Sequence, residues 1–219
     1  MRFLRCVHAE CVLLSPRLTR TRFGVSLVIL GGGLLWLHTR GLDRLTAVLE
    51  AGALGAVLGA AALVGHESDR AALTTALTHP TTPLAVATGR WLAIVLPAAA
   101  LTIACAAAVG WSTGMAVAGG VAAAAVGGCA LAVVVPLGNG AAWALFLFMA
   151  VAGSIAPERL VDLARPGVVR LGAASVLELG PALWHYREAA LGDLGAILHG
   201  GAWAALGILL ASRFVARRR

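Results

Sequence analysis

The side chains in this chain with reactive potential are six histidines, four cysteines, ten acids and seventeen arginines. Their spacing withholds most reactions. No lysine occurs, which removes the phosphate-binding loop of the GxxxxGK[ST] type and Schiff-base catalysis. Cys6, Cys11, Cys105 and Cys129 form no CxxC or CxxH pair, so they read as packing residues and not as a zinc site. His8, His38, His66, His79, His185 and His199 are scattered. His185, inside Trp184-His185-Tyr186-Arg187, is either an interfacial aromatic anchor or a contact to haem or a lipid headgroup. No GxSxG context and no paired carboxylates on one face are present, so an intramembrane enzyme lacks its equipment. The expectation is a chain with no catalytic residue, no cofactor site and no metal site of its own.

Two features remain. Glu50 is the one carboxylate or arginine within an apolar run. Charge at the centre of a bilayer costs at least ~2.5–3.5 kcal/mol, so Glu50 either reaches the outer interface or contacts a substrate path. The other feature is the polar stretch 67–80, ESDRAALTTALTHP. Asp69 is an acceptable N-cap and Pro80 a stop for a helix over 69–78. Ala72, Leu73, Ala76 and Leu77 share one face, with Arg70, Thr74, Thr75 and Thr78 around the rest. Such a helix suits a groove on another protein; a plain surface loop is the alternative.

What positions these residues is mostly apolar. The 219 residues are 60% hydrophobic and 12% charged, with mean hydropathy +0.89, against ~45–50% and ~25% in a soluble domain. Several uncharged runs match the roughly 20 residues that cross a bilayer core. The fold class expected is an all-α polytopic membrane protein. The net charge of +7 does not indicate nucleic acid, because the arginines sit at the ends of apolar runs, where positive-inside topology accounts for them.

Along the chain, residues 3–14 read as an amphipathic helix in the membrane interface. Phe3, Leu4, Val7, Cys11 and Leu14 face one way, Arg2, Arg5 and Glu10 another, and Pro16 ends it. Six spans are expected, over about 23–38, 45–65, 91–110, 115–135, 141–156 and 194–212. Pro136 and Gly138-Asn139-Gly140 mark a tight turn between the fourth and fifth. Residues 157–193 are too polar to span and too apolar for a free linker, so short interfacial helices are expected there. With both termini inside, eleven arginines fall on the cytoplasmic side and six on the outer, which favours that orientation. Residues 66–90 then face the cytoplasm.

The order of these parts resembles the permease subunit of type-2 ABC transporters. A basic N-terminal helix carries Glu10 and stops at Pro16-Arg17; after two spans come Glu67, Leu73, Leu77, Pro80 and Gly89-Arg90. They stand in places comparable to the family's E-x-x-x-G-x-L-x-x-L-x-x-x-P…G-K. The Gly after the Glu is missing, and Arg90 stands where Lys is common. The resemblance covers nearly the whole chain. It implies an interfacial elbow helix within 1–22 (Arg5, Glu10, Arg17) and a coupling helix (Glu67, Asp69, Arg70, Leu73, Leu77, Pro80). The coupling helix would seat in a cytosolic ATPase subunit that holds the ATP and Mg. It also implies pairing with a second copy or a related permease subunit, multi-pass residence in the inner membrane and ATP-driven alternating access, with export the expected direction. Residues 1–219 would then be one permease domain, with 157–193 the extracytoplasmic connection and Glu50 the candidate on the substrate path. Two other readings stand beside this one: the haem-exporter B-type subunit of cytochrome c maturation, and a non-transporting membrane scaffold or assembly factor.

Overall fold

A computed structural model of the protein describes residues 2–20, 22–67, 82–151, 153, 155 and 167–217. The described residues are overwhelmingly helical, as the composition requires. In order they form α1 (Arg2–Arg20), α2 (Arg22–Thr39), α3 (Arg44–Glu67), α4 (Pro83–Val109), α5 (Thr113–Leu137) and α6 (Asn139–Val151). After these come α7 (Val168–Leu179), α8 (Leu183–Tyr186), a 3-10 turn (Glu188–Leu191) and α9 (Leu194–Arg217).

Four of these helices are long and apolar enough to cross a membrane: α3 over Arg44–Leu63, α4, α5 and α9. The apolar parts of α2 and α6, Phe23–Thr39 and Asn139–Val151, are shorter. At 1.5 Å per residue, α6 extends only about 20 Å, against a hydrocarbon core of about 30 Å. Four helices of the described residues therefore meet the length of a span where six were expected.

Local chemistry sets two of the helix starts. Thr82 caps α4, its Oγ1 accepting from the Ala85 N–H at 3.3 Å, with Pro83 next in the first turn, where its missing N–H costs nothing. Asp193 caps α9, Oδ2 accepting from the Ala196 N–H at 2.8 Å. Two proline expectations are corrected. Pro16 does not end α1, which continues to Arg20. Proline's fixed φ is itself helical, so the lost hydrogen bond and the ring's clash with the carbonyl four residues back can bend a helix without ending it. Pro136 likewise lies inside α5, and the turn into α6 narrows to Gly138 at φ +81°.

α3 is the central helix. It packs against α2, α4, α5 and α6, and nearly every residue from Thr46 to Val57 is buried. Alanine makes up most of the core around it, with leucine and valine between and glycines at the closest crossings. Small residues let backbones approach, which matters in a bilayer because lipid tails are as apolar as the helices and close packing drives association. Positions 52 and 56 of α3 meet Gly119 and Gly127 of α5, so these helices run parallel, whereas Gly55 and Gly59 meet Ala98 and Ile94 of α4, so those run antiparallel. α9 also runs parallel to α5, with Gly200 at Val121 and Gly207 at Gly128. The bundle thus has two ends. One gathers α1, the end of α3, the start of α4 and the end of α9. The other gathers the 40–43 turn, Gly110, Gly114 and residues 180–193.

Candidate functional site

Of the residues expected at a partner surface, Arg5, Glu10 and Arg17 lie in α1, and Glu67 ends α3 beside it. α1 lies along the first turns of α4. Val7 is buried there and Cys11 half-buried, while Phe3 and Leu4 project away from the protein. That split suits a helix with one side on the bundle and its leading apolar residues in a membrane interface. Arg5 is exposed, Glu10 half-buried, and Arg17 lies in the last part of α1.

The closest approach is at Gly89, where a β-carbon would stand 2.6 Å from Glu10 Cβ and 3.1 Å from the Val7 carbonyl oxygen. Gly89 and Arg90 were expected to lead into the third span. They instead lie well inside α4, which starts at Pro83, and Arg90 is only 6% exposed. The indole of Trp91 donates to the Ala124 carbonyl at 3.1 Å and ties this part of α4 to α5. Glu67 is the last residue of α3. Asp69, Arg70, Leu73, Leu77 and Pro80 lie outside the described residues. Their attachment points, the end of α3 and the start of α4, are both beside α1.

Glu50 is 9% exposed and engaged within the bundle. It is enclosed by helices and does not lie along a lipid-facing edge. Thr46 and Glu50 are four residues apart on α3, so they share a face, with Glu50 one turn deeper.

Above Glu50 is a polar cluster that sequence reasoning did not assemble. Arg187 donates from one guanidinium nitrogen to Asp43 Oδ2 and from the other to Thr46 Oγ1, both at 2.8 Å. Asp43 Oδ2 also accepts from the Thr46 N–H at 3.3 Å, closing the N-terminus of α3. Burial alone would raise the Asp43 carboxyl. The Thr46 N–H and the Arg187 charge outweigh it and hold the group below the ordinary carboxylate range.

Beside this clasp, aromatic N–H groups cap α7. Trp184 Nε1 donates to the Leu177 carbonyl at 2.8 Å, His185 Nε2 to the Glu178 carbonyl at 2.6 Å, and Trp203 Nε1 to the Leu179 carbonyl at 2.8 Å. These are carbonyls of the last turn, which have no partner within the helix. His185 stacks on Trp184 at 3.7 Å and sits 4.5 Å from the His199 ring. Tyr186 is fully buried, with its hydroxyl 3.4 Å from His199 Nδ1. Burial, and secondarily the nearby Cys129 thiol, push its phenol far up, so it stays protonated. His185 therefore has a structural anchoring contact. Among the described residues no group of three or more His, Cys, Asp or Glu is placed to hold a metal ion. The visible signal was the Trp184-His185-Tyr186-Arg187 run, but nothing in its spacing pointed to Asp43 or Trp203. No protein-family model matches the chain, and no curated protein or solved structure matches it.

Proposed function

We propose that the chain is the permease subunit of an ATP-driven ABC transporter of the exporter type. In this reading α2, α3, α4, α5, α6 and α9 are the six crossings, α2 and α6 being the short ones. Both termini and residues 66–90 face the cytoplasm of an inner membrane. The observation that carries the reading is the junction of α1 with α4 at Glu10 and Gly89. It lies at the end where α3 stops at Glu67 and α4 begins at Pro83, both beside α1. A motor subunit bound there would meet α1 and the connection between α3 and α4 together. The arginine count supports this side being cytoplasmic, since eleven of seventeen fall there.

ATP and Mg belong to the partner ATPase, and closure of an ATPase pair would push on residues 67–80. The rigid contacts of α3 and α4 would pass that push to the bundle and switch access past Glu50 between the two sides. A second copy or a related permease completes the path, because one chain has too few helices to enclose a wide one.

The test is capture of a cytosolic ABC ATPase subunit, whose gene is expected to lie beside this one. The wild-type chain is expected to co-purify with it and to show ATP-dependent substrate movement in vesicles. Leu73→Asp with Leu77→Asp is expected to abolish capture while the chain still elutes as a folded species. Unchanged capture by that variant, or no capture by the wild type, overturns the proposal.

A further inference from the structure

We propose that residues 180–193 are a lid over the α7 end of the bundle, latched to α3 by Arg187 and opened when that latch parts. The inference rests on the permease reading only for what the opening serves; the latch itself is measured on this chain alone.

The segment has the anatomy of a lid. Gly180 stands at one boundary and Gly192, at φ +85°, at the other, and between them are only the short α8 and the 3-10 turn. Its underside is apolar and seated: Ala182, Leu183, Tyr186 and Ala189 are all buried. Its upper side, with Arg187, Glu188, Leu191 and Gly192, is exposed.

It touches the ends of several helices. The Leu183 N–H donates to the Gly153 carbonyl at 2.7 Å, just past α6. The Ala190 carbonyl packs directly on Gly114 at the start of α5. Tyr186 meets His199 of α9, and Arg187 closes onto Asp43 and Thr46 at the start of α3. Beneath the last contact, one turn further into α3, is Glu50.

The two kinds of contact differ in reversibility. The underside matches surfaces that any opening would expose, so it favours return to the seated state. The latch is half-exposed and charged, with side-chain accessibilities of 43% for Arg187 and 55% for Asp43. Exposed ion pairs are individually weak and are screened by salt. A contact of that strength holds a lid closed without making it permanent. Because Arg187 spans from the lid to α3, any tilt of α3 away from α8 lengthens the bonds it makes.

The experiment reads access to the lid's underside. The reporter is Ala189→Cys in a chain whose native cysteines are replaced, with Ser at 6 and 11 and Ala at 105 and 129. The chain is held in lipid nanodiscs and labelled with a membrane-impermeant maleimide. Labelling is expected to be slow with the latch intact. It is expected to be roughly three- to fivefold faster in Arg187→Gln and in Asp43→Asn, the shift expected from a half-exposed ion pair. The reversed pair, Asp43→Arg with Arg187→Asp, is expected to restore slow labelling. A second reporter, Leu183→Cys, should follow the same pattern.

Rates within twofold of the parent in both single variants overturn the latch, as does a reversed pair that labels as fast as the singles. Equal acceleration at Ala130→Cys, buried away from the lid, would mean general loosening and would also overturn it. No ATPase is present, so failure of ATPase capture and failure of the latch are separate results.

Discussion

Gly128 of α5 and Ala204 of α9 meet backbone to backbone: a β-carbon on Gly128 would stand 2.7 Å from Ala204 Cα. No rotamer relieves a clash with main-chain atoms, so this crossing depends on the absence of a side chain. Gly128→Val is expected to destabilise the chain by about 3 kcal/mol, the upper part of the range for overpacking. Gly120 lies in the same helix with open space around its β-position, and Gly120→Val is expected to be tolerated. Thermal unfolding midpoints of the two variants in detergent decide this. Equal midpoints would contradict the crossing.

The elbow helix makes a second prediction. Gly89→Val places methyl groups where Glu10 Cβ and the Val7 carbonyl now sit, which should lift α1 from α4. Cys11 is half-buried against the core, so its alkylation reports the displacement. About a tenfold faster rate is expected, corresponding to roughly 1.4 kcal/mol of lost docking. Mass spectrometry of the modified peptide measures it, and an unchanged rate would show that α1 does not depend on this contact.

The Asp43 clasp predicts a pH dependence with a definite sign. Its carboxyl in the folded chain titrates below the ordinary value of 3.8. A depressed acid contributes stability that is fully present above its unfolded value and is lost as pH falls through the folded value. At neutral pH the wild type should therefore unfold at a higher temperature than Asp43→Asn. The difference should persist down to about pH 4 and close below it. Added salt should shrink the difference at neutral pH, since the pair is largely exposed.

The aromatic caps of α7 supply a fourth prediction. Trp203→Phe keeps the ring and removes the donor to the Leu179 carbonyl, at a cost of about 0.5–1.5 kcal/mol. Trp184→Phe does the same at Leu177. Amide exchange in the last turn of α7, read at residues 177–180, should speed up in each variant and most in the double variant. Exchange there that matches wild type would mean that water replaces the indoles without loss.

Much of this fold was legible in one dimension because bilayer helices are specified by run length and breaks. The run over 45–65 became α3 and the run over 194–212 became α9, each extended into its flanking arginines. The break at Gly138 followed from a residue that takes positive φ readily. The expected stops at Pro16 and Pro136 did not hold, because a proline penalises a helix locally and the surrounding turns outvoted it. The start of α4 was misplaced for a related reason. Thr82 and Pro83 carry a good start signal, but the apolar run was counted only from Trp91.

That the chain is helical, apolar, short of reactive groups and basic at the ends of its apolar runs is written in its residues. Composition and run length suffice for that, since each is a property of neighbouring residues. The packing of the helices brings Arg187 onto Asp43 and Thr46, 144 and 141 residues away. It also places Gly89 under Glu10, and Trp203 on the cap of a helix ended at Leu179. Those pairs depend on which faces α3, α4, α8 and α9 turn toward each other. In a core of alanine and glycine many local sequences satisfy the same packing, so no local pattern records the choice.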